Sequence, residues 1–342
     1  MSDVSYRRTA WGALLLVFTV VVLGAWVRLS DAGLGCPDWP GCYGHLGVPN
    51  EAHEVAEANA AYPDRPVETH KAWKEMIHRY AASALGLLIL VLAYMAWKRH
   101  YRQGGQDHLL AGFTLAWVIF QGLLGMWTVT LKVNPAIVTL HLAGGLFTLA
   151  LIWLLVLRQH NWFRNATQAF RRLQSMATLG LVILCIQILL GGWTSTNYAA
   201  LACTDFPTCH GQWLPDMDLR EGFVLWRPLG VDYEFGVLDA SARTAVHFVH
   251  RVGALITFLY LLTLAILMLR NAVFQVRSLG LILLLLLCGQ ILLGIGNVVL
   301  SLPLPIAVAH NGGAALLLLT LVALNYAGSR RAGLGKGYLN LD

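Results

Sequence analysis

Residues 72–97 read AWKEMIHRYAASALGLLILVLAYMAW, and this stretch decides the fold. After its first turns it is apolar for the length that crosses a bilayer as a helix, about 20 residues. Yet it carries Glu75, His78 and Arg79 near its start. Ionisable groups are costly in a membrane and turn toward a bundle interior. The stretch also has a copy. Residues 243–269, RTAVHFVHRVGALITFLYLLTLAILML, repeat the His-Arg pair as His250-Arg251, 172 residues later, with His247 where the first copy has Glu75.

The copying extends along the chain. Cys36-Pro-Asp-Trp-Pro-Gly-Cys42 recurs as Cys203-Thr-Asp-Phe-Pro-Thr-Cys209, an offset of 167, and His141 recurs as His310, an offset of 169. Several motifs at nearly one offset mark a duplication, the feature to seek first in a sequence. Apolar runs place eight spans at roughly 11–29, 72–97, 109–131, 136–157, 174–196, 243–269, 278–299 and 305–326. Each half holds an even number of them, so both halves share one orientation, related by a pseudo-two-fold axis along the membrane normal. The expected fold is an all-α integral membrane protein of eight transmembrane helices in two tandem pseudo-symmetric four-helix bundles, residues 1–160 and 161–342.

Composition agrees. Of 342 residues 57% are hydrophobic and 12% charged, and mean hydropathy is +0.61. Soluble domains are about 25% charged, which excludes a cytosolic enzyme, a secreted disulfide scaffold and a disordered chain. The net charge of +6 is a topology signal. One side of the membrane holds Arg7, Arg8, Lys98, Arg99, Arg102, Arg158, Arg164, Arg171, Arg172, Arg270, Arg277, Arg330, Arg331 and Lys336, and the other little more than Arg65, Lys132, Arg220 and Arg227. The positive-inside rule makes both termini cytoplasmic and turns the long segments 30–71 and 197–242 outward. Nucleic-acid binding is excluded on the same ground. The first span is too long for the apolar core of a cleavable signal peptide and lacks a small-residue cleavage site.

A second pattern alternates along the spans. Gln121-Gly-Leu-Leu-Gly125, Gln187-Ile-Leu-Leu-Gly191 and Gln290-Ile-Leu-Leu-Gly294 lie on the third, fifth and seventh, while the first keeps only Gly24-Ala-Trp26. Small residues let membrane helices approach closely. Either each histidine helix rests on a glycine helix, or the glycines make room for a flat cofactor.

His78, His141, His250 and His310, one in each even span, lie five to eight residues inside the outer end. At ~1.5 Å per residue they form one layer roughly 8–12 Å deep. Four packing histidines at one depth, in duplicated pairs, are improbable. Imidazole suits zinc and copper as well as iron, but those metals want further ligands, and no second cluster is evident. Haem needs two axial ligands in a bundle core. The pairs His78/His141 and His250/His310 therefore read as two bis-histidine haem sites. Arg79 and Arg251 are candidates to pair with haem propionates, or else snorkel to the interface. Glu75 shares a helix face with His78, which gives the first site a candidate proton acceptor; its bland role is to cap Lys71 or Arg79.

Disulfides persist outside the cytoplasm. The two C-x5-C segments, each with a turn-forming Asp and Pro, read as local disulfides Cys36–Cys42 and Cys203–Cys209. Zinc held with His45 or His210, and a redox role for the first pair, are the alternatives. Cys185 and Cys288 read as packing residues inside helices.

Together these features resemble the haem A synthase family, in its bacterial branch with paired cysteines in the outer loops: eight spans in two halves, Glu-x-x-His-Arg on the second, His-Arg on the sixth, single histidines on the fourth and eighth, and the cysteine loops. The resemblance covers nearly the whole chain. It implies an oxidoreductase of the bacterial inner membrane that oxidises the C8 methyl of haem O to a formyl group by successive hydroxylations, giving haem A for terminal cytochrome oxidase. It implies His78 and His141 as ligands of the substrate haem O in the N-terminal half, Glu75 as the essential carboxylate, and His250 and His310 as ligands of a haem B cofactor in the C-terminal half. The implied partners are the farnesyl transferase that makes haem O, cytochrome oxidase assembly as acceptor, and membrane lipid; a homo-oligomer is allowed. The rivals are a bis-histidine dihaem cytochrome that only passes electrons, for example from quinol, and a transporter built on repeats. A transporter would favour helices broken at the midplane, whereas this polar layer lies near one face.

Overall fold

The computed structural model describes residues 3–104 and 107–329. Arg330, Arg331 and Lys336 lie outside the described residues. The described chain is helical: α1 Asp3–Leu29, α2 Ala52–Ala61, α3 Thr69–Gln103, α4 His108–Thr130, α5 Pro135–Arg158, α6 Thr167–Arg172, α7 Gln174–Thr196, α8 Leu219–Gly222, α9 Ala240–Leu269, α10 Phe274–Val299 and α11 Leu304–Ser329, with a 3₁₀ turn at Arg164–Ala166. Eight of these, α1, α3, α4, α5, α7, α9, α10 and α11, are long and apolar enough to cross a membrane. They are the eight spans read from the sequence. Several start a few residues earlier than their apolar runs, and at two of them, α9 and α5, a side-chain cap marks the first turn. Asp239 accepts from Ala242 N at the start of α9, and Asn134 accepts from Ala136 N with Pro135 in the first turn of α5. Such caps satisfy backbone donors that a helix start leaves open.

Contacts close each half into a ring. In the first, α1 packs on α3, α3 on α4, α4 on α5 and α5 on α1; in the second, α7, α9, α10 and α11 repeat the cycle. Between halves α1 meets α11, α5 meets α7, and α5 meets α11. Exchanging the halves maps this set of contacts onto itself. One apolar core runs through both, from Tyr6 and Ala10 on α1 to Ala323 and Ala327 on α11. Helices α1, α5 and α11 are the most buried, and α4 and α10 the least. Polar bonds cross the seam: Trp153 Nε1 donates to Leu319 O (2.9 Å), and Thr139 and Thr196 hydroxyls meet at 3.2 Å. At the end that carries the disulfide loops Arg28 Nη2 donates to Ser195 O (2.6 Å) and its guanidinium lies 4.1 Å from the centre of the Tyr198 ring. Cys185 and Cys288 are exposed on the helix surfaces rather than packed inside. Lipid is as apolar as a core, so hydropathy alone does not place them.

The two disulfide loops are structural copies. Both disulfides are formed, Cys36–Cys42 and Cys203–Cys209, each with Cα atoms 4.8 Å apart. Inside the first, Asp38 accepts from Tyr43 N (2.6 Å) and Gly44 N (2.8 Å); inside the second, Asp205 accepts from His210 N (2.7 Å) and Gly211 N (3.0 Å). Tyr43 and His210 both adopt φ of 55°, followed by glycines at 80° and 73°. The Thr208 hydroxyl and the backbone N–H groups of Gly211 and His210 hold the Asp205 carboxyl well below its usual range. Arg65 of the first loop pairs with Asp232 and Glu234 of the second, tying the two together.

Candidate haem-binding layer

His78 lies on α3, His141 on α5, His250 on α9 and His310 on α11. Each imidazole rests on a glycine of the preceding long helix. A Cβ added at Gly24 would stand 3.0 Å from His78 Cε1; at Gly125, 3.2 Å from His141; at Gly191, 3.1 Å from His250; at Gly294, 3.1 Å from His310. The glycines thus seat the imidazoles, the first of the two roles the sequence left open. A methyl group there presses the ring off its place, and overpacking of this kind costs about 1–3 kcal/mol. Gly191→Ala is therefore expected to weaken haem binding in the second half about tenfold or more while leaving the first half unchanged, read by titrating haem into the purified chain.

The structure brings the four rings near one another in twos. His78 lies within electrostatic reach of His141, and His310 of His250. None of the four Nε2 atoms makes a hydrogen bond, and all four residues keep partial exposure. Unbonded ring nitrogens in facing pairs, in an apolar bundle, fit two axially ligated haems. They do not fit zinc or copper: among the described residues there is no group of three or more His, Cys, Asp or Glu that could hold a metal ion. The loop cysteines are in disulfides, so the zinc alternative with His45 or His210 has no thiolate to use.

Glu75 is buried, 4% exposed, beneath the first disulfide loop. Cys36 N–H donates to Glu75 Oε2 (2.9 Å), and Arg79 Nη2 donates to Oε1 (2.5 Å). Arg79 also donates to the carbonyls of Asp38 (3.0 Å), Pro40 (3.3 Å) and Gly41 (2.6 Å). In the second half His247 takes the place of Glu75. Cys203 N lies 3.1 Å from its Nδ1 and Arg251 Nε 3.2 Å from its Nε2, so each ring nitrogen faces a donor and one of the two can accept. Arg251 donates further to the carbonyls of Cys203 (2.8 Å), Asp205 (2.9 Å) and Thr208 (2.8 Å). Both arginines are thus committed to the loops, and a propionate would have to share them with those carbonyls. Two donors converge on His247, whose neutral ring has one acceptor nitrogen, so it offers no free nitrogen to iron. His250, seated on Gly191, does.

An apolar crevice of about 480 Å³ lies where α1, α10 and α11 meet, lined by Phe18, Val22, Leu293, Val308, Gly312 and Leu316 among others. None of its lining comes from α3, α4 or α5. It borders the helix of His310, not the first pair of histidines.

Sequence reasoning noticed Gln121, Gln187 and Gln290 as repeated but gave them no role. Each Nε2–H donates to the backbone carbonyl of the histidine on the next helix: His141 (2.6 Å), His250 (3.1 Å) and His310 (2.9 Å).

The likeness to known proteins runs along most of the chain. The COX15-CtaA family model, described as cytochrome oxidase assembly protein, matches residues 7–322. The chain belongs to this family. A heme A synthase of Shewanella oneidensis is 49% identical over 91% of this chain and 93% of its own. Heme A synthases of Erythrobacter litoralis, 30% identical over 95% of this chain and 97% of theirs, and Sphingopyxis alaskensis, 28% identical over 95% and 92%, extend the likeness over both halves. The matched range takes in all four histidines, Glu75 and both cysteine loops.

Proposed function

We propose that this chain is a haem A synthase, an oxidoreductase of the bacterial inner membrane with both termini in the cytoplasm. It converts the C8 methyl of haem O to a formyl group by successive hydroxylations and loss of water. The observation that carries the reading is the pair of bis-histidine sites in one layer, on a chain 49% identical to a heme A synthase.

The two halves divide the work. His78 and His141 would hold haem O, the substrate, in residues 1–160. His250 and His310 would hold haem B in residues 161–342, and when bound that group supplies one-electron redox chemistry. Glu75, beneath the first loop only, is the residue we assign to catalysis. Its Oε1 and Oε2 are fixed by Arg79 and Cys36 N–H, so the carboxylate is oriented before substrate arrives and needs no reorganisation. In that role it would stabilise positive charge developing at the methyl carbon. The disulfide loop above shields it from water. His247, neutral and saturated by donors, performs only the structural half of this role. Haem O would come from the farnesyl transferase that makes it, and haem A would pass to cytochrome oxidase assembly.

The test in cells uses a bacterial host that makes haem O but no haem A. Expression of the chain is expected to bring haem A into the extracted pigments. Haem O alone, with the chain present in the membrane, contradicts the reading.

A further inference from the structure

Three of the four histidines are clamped by a carboxamide and the fourth is not. Besides holding the histidine carbonyls, Gln121 and Gln187 bring Nε2 within 3.0 Å of Nδ1 of His141 and His250. The other end of each carboxamide lies against a glycine three residues after the histidine. A Cβ at Gly144, Gly253 or Gly313 would stand 2.1, 2.3 or 2.3 Å from Oε1 of Gln121, Gln187 or Gln290. The clamp therefore needs Gln-x3-Gly on one helix and His-x2-Gly on the next. The pair that seats His78 lacks both parts: Val20 stands four residues before Gly24, and Ala81 three after His78. The two departures agree physically, since the methyl of Ala81 belongs where the carboxamide would lie.

The difference reaches the ring. A histidine that ligates iron through Nε2 carries its proton on Nδ1 and uses it to hold an acceptor. The Oε1 atoms of Gln121, Gln187 and Gln290 are buried without a partner. A half-turn of the carboxamide would exchange its bond to the histidine carbonyl for an acceptor at Nδ1–H, an exchange open to Gln121 and Gln187, which already lie 3.0 Å from that atom. His78 has no such acceptor. Its buried Nδ1 has no side-chain partner, a state it shares with His310, and the Val20 backbone carbonyl lies beside it; unlike His310, it also has no carboxamide on its own carbonyl. The corresponding carbonyls of Gln121 and Gln290 stand beside His141 and His310, so the carboxamide is what distinguishes His78.

We infer that Gln121, Gln187 and Gln290 are positioning residues that lock His141, His250 and His310 as axial ligands, and that unclamped His78 is the ligand that gives way when haem O enters and haem A leaves. The inference rests on the function proposed above. A resident haem is served by two locked ligands, which the second half has. A haem that passes through needs one ligand that holds and one that yields, which the first half has.

The experiment uses the purified full chain with Glu75→Gln as background, so that haem O is bound and not consumed. Transfer of haem to excess apomyoglobin is followed by chromatography, which separates haem O from haem B and so reports the halves independently. Val20→Gln with Ala81→Gly, which supplies the missing clamp, is expected to slow haem O release about tenfold and leave haem B unchanged. Gln187→Leu is expected to speed haem B release about 10–100-fold, the usual effect of losing such a partner, and leave haem O unchanged. Haem O release that ignores the added clamp, or haem B release that ignores Gln187→Leu, overturns the inference. A chain that binds haem B and never binds haem O instead overturns the functional reading beneath it.

Discussion

Replacing Glu75 by Gln is expected to leave both haem sites filled and to lower haem A formation by about 10²–10³-fold, the scale on which a preorganised electrostatic group acts. The structure explains why binding survives. Glutamine is the same shape as glutamate, and its carboxamide oxygen still accepts from Cys36 N–H. What is lost is the charge facing Arg79. Glu75→His is the sharper companion, because the second half shows that an imidazole at this place seats the same loop over the same arginine. It should keep the loop closed and be as inactive as Glu75→Gln. The check is haem content and haem A yield in membranes from each variant. Normal haem A from Glu75→Gln would remove the catalytic role of this carboxylate.

The second large effect concerns the neighbouring histidines of α9. His250→Ala is expected to abolish haem B binding in the second half, seen as loss of the bis-histidine visible spectrum from the purified chain. His247→Ala should keep that spectrum. His247 is buried, 4% exposed, with both ring nitrogens facing donors from Cys203 and Arg251. Its loss leaves the Cys203 N–H without an acceptor, at about 1–3 kcal/mol for a buried group, so the cost falls on loop stability rather than on haem. A spectrum that survives His250→Ala and disappears with His247→Ala would reverse the assignment.

Much of this was legible in the sequence. Span length is a bilayer property, so the eight helices followed directly, and the duplication is written in offsets of 167 to 172 residues. The cysteine spacing gave both disulfides. Other features depend on contacts that no single segment carries. Arg79 and Arg251 read as propionate partners because they follow histidines; only the fold shows the loop carbonyls that surround them. Glu75 and His247 read as different chemistry, and the fold shows one structural role filled by two residue types. The glutamines were visible as a repeat. The signal that reveals their role was also present: the first span lacks the glutamine, and the histidine it seats lacks the glycine three residues later. One absence means little, but two that fill the same space are a contact.

The central claim is that one chain holds a resident haem B and acts on haem O. Haem extracted from detergent-purified protein, made with and without a haem O supply, tests it most directly. Haem B alone is expected without the supply, and haem O, its hydroxylated intermediates or haem A beside haem B with it. Haem B alone in both preparations, at two per chain, would contradict the account and leave an electron carrier in its place.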